Sequence, residues 1–377
     1  MILPWALSIM AILPELVVGA ATNRHKRWYG VRPIDENGSV KGSYGPWALV
    51  CDSQSVRYCF ADARSQSNLD GIVNQAVAKW AHATHDSNLR IIPDNEEALL
   101  CSSSDVRPDA LVITDMTKDN NPAWNNGPDC STESKTTGYD YSSKEERRHR
   151  LDFCHLIPGD VKGTEARAVQ AMMYELGHAI GLQHEHQRDD RDTYIKFNCD
   201  KLDGYDDAKH KAEIDEAAFF EDNDSLDIRM HLTCNDDEIA SRYMPAAQAF
   251  IPGKQHRLTD EVKKWKGYKY SELFDYNSIM MYNSHANIPS NVDGMKPEDW
   301  VLTRVDNKGP VWQGGSENPS HAKITEGDVA QVAQLYPKTD GSSLDAMDFD
   351  KWGTAKGKRR RVKVRELETI VEAPRAL

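Results

Sequence analysis

One short segment of the chain carries residues suited to metal chemistry. Tyr174, Glu175, His178, Gly181 and His184 follow one another along it. Tyr174 and His178 are four residues apart, so in a helix their side chains share one face, with Glu175 further round the same helix. A glycine can end a helix in a left-handed turn, which would bring His184 back towards His178. The segment therefore predicts a helix, a turn and a centre able to hold a divalent metal ion.

The chemistry expected of such a centre is metal-assisted hydrolysis. Zinc polarises a peptide carbonyl and lowers the pKa of its bound water towards ~7. Glu175 would take the proton from that water and later pass it to the leaving amine. These residues indicate one Zn²⁺ ion as the cofactor and proteins or peptides as substrates.

The spacing matches a zinc-protease motif with one ligand replaced. The motif His-Glu-x-x-His-x-x-Gly-x-x-His supplies three imidazoles and a base, but Tyr174 stands at its first histidine position. Residues 185–192 continue as Glu-His-Gln-Arg-Asp-Asp-Arg-Asp, which resembles the extension of this motif in the astacin family of metzincins. Residues 278–282, Ser-Ile-Met-Met-Tyr, resemble the methionine turn that astacins place under the metal.

The resemblance to astacins implies a role for each matching residue. His178 and His184 would bind zinc, and Met280 would lie beneath it. Tyr282 would inherit the role of the family's turn tyrosine, which can bind zinc as an extra ligand and swing out to stabilise the oxyanion. Glu185 would be structural, because the matching glutamate in astacins takes up the ammonium group of the mature N-terminus.

The tyrosine at position 174 leaves two functions open. In the first, the chain is a secreted zinc endopeptidase whose ion is held by His178, His184 and either Tyr174 or a histidine from elsewhere, such as His155 or His285. In the second, it is a catalytically impaired pseudoprotease that keeps the cleft in order to bind or inhibit peptides.

Different residues favour the two functions. A chain freed from catalysis has no chemical reason to keep Glu175, which favours the endopeptidase. A phenol must lose its proton before it binds zinc, so Tyr174 would weaken the site by ~3–5 kcal/mol. That weakening favours the pseudoprotease, and it predicts a weakly bound ion.

The resemblance also implies an α+β fold of the zincin (metzincin) type. Residues 56–60 resemble the family's first strand, Trp80 lies in a segment like its first helix, and residues 324–336 resemble its closing helix. We expect two lobes flanking an active-site cleft, with a twisted mixed sheet in the N-terminal lobe. The predicted divisions are a signal peptide (1–21), a short N-terminal or pro-segment (22–43), an N-terminal lobe (44–183), a C-terminal lobe with an acidic insertion (184–338) and a disordered tail with a basic run (339–377).

Local patterns predict the elements that position these residues. Apolar side chains at helical spacing predict a helix over 67–83, with Ser67 and Asp70 at its start. The remaining predictions are a strand over 110–114, a long surface loop over 117–148, a short strand over 150–153, a helix over 164–182 and a helical or loop insertion over 200–270.

Composition and charge narrow the class of protein. The net charge of −13 argues against a general nucleic-acid binder. The apolar stretch 2–21 ends in small residues and predicts a signal peptide, with a short amphipathic helix as the alternative. No later stretch is long and apolar enough to span a bilayer. The 7 cysteines match no zinc-knuckle spacing, so they predict disulfides, one cysteine left over, and a secreted protein.

Overall fold

The computed structural model describes most of the chain between residues 44 and 338. The described residues are 44–47, 49–50, 53–117, 133–134, 137–155, 164–214, 219–221, 223–252, 274–292, 294 and 296–338. The chain divides into two compact units, Met1–Lys338 and Thr339–Leu377, and every described residue belongs to the first. The predicted signal peptide, pro-segment and basic tail therefore lie outside the described residues.

Helices and strands alternate in the first half, and short helices dominate the second. The strands are β1 (Tyr44–Gly45), β2 (Leu49–Val50), β3 (Ser53–Phe60), β4 (Leu89–Pro93), β5 (Leu111–Asp115), β6 (Glu133–Ser134), β7 (Tyr139–Asp140), β8 (Arg150–Phe153), β9 (Ile195–Phe197) and β10 (Leu302–Arg304). The helices are α1 (Ala63–Lys79), α2 (Ala81–His85), α3 (Thr164–Ile180), α4 (Tyr205–Glu213), α5 (Leu226–Asn235), α6 (Asp237–Tyr243), α7 (Pro245–Gln248) and α8 (Glu326–Leu335).

The main sheet is mixed, as the sequence predicts for the N-terminal half. Strand β3 pairs in parallel with both β4 and β5, and β5 pairs in parallel with β8. Strands β2 and β6 join antiparallel, on β3 and β8 respectively. Two further antiparallel pairs, β1 with β7 and β9 with β10, stand apart from this sheet. Together with the helices, they give the predicted α+β class.

A hydrophobic core joins the sheet to helices α1 and α3. Leu69, Val73 and Ala76 lie on the buried face of α1, followed by Trp80, and each is fully buried. The indole Nε1 of Trp80 donates a hydrogen bond to the Met173 carbonyl in α3 at 3.0 Å. Burying one such large apolar side chain stabilises a fold by roughly 1.5–3 kcal/mol. The contact fixes α3, which carries the candidate metal-binding motif, against the first helix.

A second core lies among the later elements. It gathers buried side chains from β9, β10, the helices α4 to α7 and the segment after residue 274: among them Ile195, Ala240, Phe250, Met281 and Leu302. The predicted insertion at 200–270 is thus largely helical where the structure describes it. Residues 279 and 280 belong to the first core and 281 to the second, so the segment 278–282 runs between the two.

The first helix starts earlier than the sequence predicts. A helix is present over most of the predicted range 67–83, but the predicted cap at Ser67 and Asp70 is wrong, because α1 spans Ala63–Lys79. Asp62 caps it by accepting a hydrogen bond from the Ser65 amide at 2.7 Å. Capping by an aspartate side chain is worth about 1 kcal/mol. The apolar residues at helical spacing begin only at Leu69, so hydrophobic periodicity does not detect the polar first turn of the helix.

The predicted loop at 117–148 also needs correction. The short strands β6 and β7 fall inside it, and Asp140 in β7 is buried. Its carboxylate accepts hydrogen bonds from the Ser142 amide and hydroxyl, which explains a buried polar side chain in a segment of loop-like composition. The other predictions hold within two residues: β5 for 110–114, β8 for 150–153, and α3 for 164–182.

Disulfide bonds occur as the cysteine content predicts. Cys59 pairs with Cys101 and Cys199 pairs with Cys234, and Cys154 is also disulfide-bonded. The second pair ties the residues after the metal-binding motif to helix α5. Within the described part of the chain, no helix has the length and apolar character needed to cross a membrane.

Candidate metal centre

Helix α3 presents the first part of the motif. Tyr174 and His178 lie one turn apart, and their rings meet edge to face with centroids 4.8 Å apart. The His178 side chain is buried, and Tyr174 is half-buried where it packs against the first core. Glu175 is also buried, and its charge raises the pKa of the Tyr174 hydroxyl, although less than burial does. Helical spacing thus puts a phenol, a carboxylate and an imidazole in one small region.

A glycine turn brings the second histidine back to the helix. Gly181 follows α3 with φ 119°, a backbone angle that side chains disfavour, and the Leu182 amide donates to the Gly177 carbonyl at 2.9 Å. As a result, His184 Nε2 lies 3.0 Å from His178 Nε2. It lies 2.6 Å from the Tyr174 hydroxyl oxygen. The predicted meeting of these three side chains is therefore present in the structure.

The protonation of His178 is set by its backbone partner. Its Nδ1 lies 2.9 Å from the Leu182 carbonyl oxygen, which can only accept, so Nδ1 carries the proton. The Nε2 lone pair then faces His184. Burial lowers the pKa of His178 to about 4, so the imidazole is neutral at pH 7. A neutral imidazole held in one tautomer by a carbonyl is the usual form of a metal-binding histidine.

Tyr282 closes the other side of the cluster. Its ring stacks on His186 with centroids 4.2 Å apart, and it lies 5.1 Å from the His184 ring. Its hydroxyl and that of Tyr174 are hydrogen-bonded to each other, with ring centroids 6.2 Å apart. Burial raises the pKa of Tyr282, and the nearby Glu175 carboxylate adds to the rise. Both phenols are therefore neutral at pH 7.

Met280 packs directly against α3, the helix that carries the candidate ligands Tyr174 and His178. The side chain is buried, and a Cβ added at Gly177 would lie 2.4 Å from its sulfur. The Met280 carbonyl accepts a hydrogen bond from the Glu185 amide at 3.0 Å, next to His184. Met280 thus touches both the ligand-bearing helix and the ligand-bearing turn, as the predicted fold requires.

Glu185 is fully buried and already paired. Its Oε1 lies 2.6 Å from Arg188 Nη1 and accepts from the Asp275 amide at 2.9 Å. Its Oε2 accepts from Gln331 Nε2 at 3.4 Å. Burial raises the pKa of Glu185 to about 7, while Arg188 opposes the rise. The pairing of Glu185 with a mature N-terminus stays a prediction, because residues before Tyr44 lie outside the described part.

The three donor atoms suit a zinc ion. Zinc–nitrogen distances of about 2.0–2.1 Å in a tetrahedral site put neighbouring ligand atoms about 3.3 Å apart. The observed separations of 2.6 and 3.0 Å are slightly shorter, so small side-chain rotations would open the cluster to that spacing. The donor set of two imidazoles and one phenol fits zinc, provided that the Tyr174 hydroxyl gives up its proton.

Neither of the alternative histidines joins this cluster. His155 Nδ1 lies 2.8 Å from the Thr117 hydroxyl, and the His285 ring packs on Trp312. Among the described residues, no three His, Cys, Asp or Glu side chains lie close enough together to hold a metal ion. The suggestion that His155 or His285 supplies the third ligand is therefore wrong, and Tyr174 is the side chain that stands there.

Three residues around the centre escape the sequence patterns. His186 is fully buried, its ring stacks on those of His184 and Tyr282, and its Nε2 donates to the Ala249 carbonyl at 2.9 Å. Asp328 and Gln331 reach the neighbouring segments from α8, and their contacts there appear only in the folded chain. Asp328 had one signal in the sequence, since Thr325 and Asp328 have the spacing of a capping box, which the structure contains.

Comparison with protein families finds one match. Residues 162–229 match the family model named "Astacin", which describes a family of peptidases. This segment includes the motif helix, its turn and the extension after His184. None of the curated proteins matches the sequence.

Solved structures with a similar arrangement are distant in sequence. One is "High choriolytic enzyme 1 (HCE-1), a hatching enzyme zinc-protease from Oryzias latipes (Medaka fish)", with 14% identity over 77% of this chain and 94% of that one, and a TM-score of 0.41. Another is myroilysin, with 12% identity over 78% of this chain and 96% of that one, and a TM-score of 0.37. At TM-scores below 0.5, neither likeness bears on what this chain does.

Proposed function

We propose that this chain, which matches the astacin family model over residues 162–229, is a secreted zinc endopeptidase with an altered ligand set. The ion would be held by His178, His184 and Tyr174. Glu175 would act as the general base, and Tyr282 would stabilise the oxyanion. The substrates would be proteins or peptides.

One observation carries the proposal. The Tyr174 hydroxyl oxygen and the Nε2 atom of His178 lie 2.6 and 3.0 Å from the same atom, His184 Nε2. This spacing puts the three atoms close enough together for one ion to reach all of them. The convergence therefore supports metal binding despite the tyrosine.

The neighbouring residues support a hydrolytic role. Zinc, when bound, would supply Lewis-acid activation of a water and of the peptide carbonyl. Glu175 is buried beside the two phenols, so its carboxylate is placed to take a proton near the ligand atoms. The Tyr282 hydroxyl, bonded to Tyr174, is a donor aimed into the same region.

The proposal of secretion has its own support. Disulfides form and persist in oxidising compartments, and the described residues contain Cys59–Cys101 and Cys199–Cys234. The apolar stretch at 2–21 is the predicted signal peptide. N-terminal sequencing of the exported protein tests this part, and a sequence that begins at Met1 would contradict it.

The pseudoprotease is the second candidate, and one contact favours it. The Tyr174 hydroxyl lies against His184 and is hydrogen-bonded to Tyr282, so the cluster satisfies its own polar atoms. Tyr174 can therefore fill this position by hydrogen bonding to its neighbours, without a metal ion. In that case the cleft would bind peptides without cutting them.

Cleavage of an unfolded protein substrate separates the two candidates. The full chain, its Tyr174→His variant and a Tyr174→His/Glu175→Gln variant would be assayed in zinc-containing buffer. For an endopeptidase we expect slow cleavage by the wild type and faster cleavage by Tyr174→His, whose imidazole binds zinc without losing a proton. Adding Glu175→Gln should abolish turnover and leave zinc bound, because it removes the base but no ligand.

The control is a chelator-treated sample of each protein. No cleavage by the wild type with full cleavage by Tyr174→His would establish the pseudoprotease, since a single side chain would then account for the loss. Absence of cleavage in both would refute the peptidase altogether. Cleavage that survives Glu175→Gln would refute the role of Glu175.

A further inference from the structure

We propose that Asp328 is a positioning residue for the metal centre, holding the methionine turn in place from helix α8. The inference rests on the proposed metal-binding function and adds a residue that acts without touching metal or substrate. Asp328 follows His184 by more than a hundred residues in the chain. Its carboxylate nevertheless reaches the segment that supports the ligands.

The Asp328 carboxylate accepts hydrogen bonds from two separate elements. Its Oδ1 accepts from the Ser278 hydroxyl at 2.6 Å, and its Oδ2 accepts from the Ile279 amide at 3.0 Å. Oδ2 also accepts from the Thr325 amide at 3.0 Å. The Ser278 hydroxyl in turn accepts from the Met280 amide at 2.9 Å. One buried carboxylate thus fixes three consecutive residues of the methionine turn.

A second contact from α8 reaches the ligand-bearing turn. Gln331, one helical turn after Asp328, donates to Glu185 Oε2 at 3.4 Å. The Thr325 hydroxyl, at the start of the helix, donates to Asp275, whose own amide donates to Glu185 Oε1. The first turns of α8 therefore contact both the methionine turn and the residue next to His184.

The two contacts converge on the ligands through Met280. Its carbonyl accepts from the Glu185 amide, and its sulfur fills the space left by the missing side chain of Gly177 in α3. Gly177 directly precedes His178, and Glu185 directly follows His184. A displaced methionine turn would therefore move both histidines.

Helix capping alone does not account for these bonds. A capping box needs only the reciprocal bonds between Thr325 and Asp328, which the structure contains. The bonds to Ser278 and Ile279 reach across about fifty residues and satisfy buried polar groups of another element. Without Asp328 the Ser278 hydroxyl and the Ile279 amide would lose this buried acceptor.

The test compares Asp328 with a matched site on the same helix. Asp328→Ala and Asp328→Asn would be made in the full chain, both wild type and Tyr174→His. The control is Val332→Ala, which removes buried apolar contact from α8 but leaves the hydrogen bonds of Asp328 to Ser278 and Ile279 in place. Three quantities are measured: the urea midpoint of metal-free protein, zinc affinity by chelator competition, and backbone hydrogen exchange of segments 184–188 and 278–282.

We expect Asp328→Ala to weaken zinc binding roughly tenfold, as removal of an outer support of a metal site does. Asp328→Asn should lose less, because one amide oxygen can still accept. Exchange at 278–282 and 184–188 should rise in metal-free Asp328→Ala. Val332→Ala should lower the urea midpoint but change neither zinc affinity nor exchange in those segments. If Asp328→Ala fails to fold, Ser278→Ala replaces it, with changes in the same direction.

The outcomes separate this inference from the proposed function. If zinc binds and Asp328→Ala leaves its affinity unchanged, or Val332→Ala lowers it equally, the positioning role is refuted and the metal site stands. If no variant binds zinc, the metal site is refuted, and exchange decides alone. A selective rise at 278–282 and 184–188 then shows that Asp328 holds the methionine turn in place without a metal ion, and an unchanged pattern overturns that role.

Discussion

Replacing Gly177 with alanine should destabilise the protein, even though the residue lies inside a helix. Alanine normally stabilises a helix interior relative to glycine by roughly 0.5–1 kcal/mol. At Gly177 the new Cβ would lie 2.4 Å from the Met280 sulfur and 3.4 Å from Trp80 Cζ2. Forcing a methyl group into a packed core costs roughly 1–3 kcal/mol. The difference between the two ranges is about 0–2.5 kcal/mol, so we expect a net loss of about 1 kcal/mol.

Urea unfolding of metal-free protein measures this loss against a matched control. Gly71, in helix α1, has no atom within 4 Å of the position its Cβ would take. Gly71→Ala should stabilise the protein by roughly 0.5–1 kcal/mol, because it gains the higher helix propensity of alanine without a steric clash. The two glycine variants should thus move the unfolding midpoint in opposite directions.

A second background identifies the cause of the clash. In a Met280→Ala protein, Gly177→Ala should become stabilising, because the sulfur that it meets is gone. The reasoning is refuted if Gly177→Ala stabilises the wild type as Gly71→Ala does. It is also refuted if Gly177→Ala remains destabilising in the Met280→Ala background.

Two further predictions concern buried charge. Three buried imidazoles have a pKa lowered by desolvation, to about 4, 4 and 3: His149, His178 and His186. In the folded protein these imidazoles stay neutral, so unfolding below pH 6.5 lets them take up protons. Burial raises the pKa values of Glu185 and Asp328 to about 7 and 6, so these two carboxyl groups release protons on unfolding. At about pH 5.5 the imidazoles take up about one proton more on unfolding than the two carboxyl groups release. The free energy of unfolding of metal-free protein should therefore fall by about 1.4 kcal/mol per pH unit on acidification. Urea titrations that show a rise would contradict this. Replacing Arg188 by methionine should cost roughly 3–5 kcal/mol, because it leaves Glu185 buried without its cation, and Glu185→Gln in the same protein should recover part of the loss in the same assay.

Helix α3 was among the elements predicted most accurately from the sequence. The apolar side chains along one face of this helix are all buried: Val169, Met172, Met173, Leu176 and Ile180. The apolar period there reflects a helix buried along one face, and a glycine marks its end. Both signals are local, so a single sequence contains them.

The first helix shows what a local pattern misses. Ser65 in its first turn is buried, because its hydroxyl accepts from the Asp115 amide in β5. The residues around Ser65 give no sign of this contact, because Asp115 lies 50 positions further along the chain. A polar first turn therefore reads as loop, although tertiary hydrogen bonds bury it.

In the candidate site, too, some residues were predictable from the sequence and others were not. The meeting of Tyr174, His178 and His184 followed from helix geometry and one glycine. The supports contributed by Asp328 and Gln331 did not, because α8 packs against the methionine turn only in the folded chain. Residue spacing predicts the ligands of this centre, and packing determines what holds them.

The central claim is that Tyr174 completes a zinc site with His178 and His184. Calorimetric titration of zinc into metal-free full chain tests it most directly, with Tyr174→His, Tyr174→Phe and His184→Ala measured in parallel. The account predicts one ion bound by the wild type, two to four decades more weakly than by Tyr174→His if the tyrosine costs ~3–5 kcal/mol. Tyr174→Phe should bind more weakly still, because it removes only the hydroxyl. Equal zinc affinity for the wild type and either Tyr174→Phe or His184→Ala would contradict the claim.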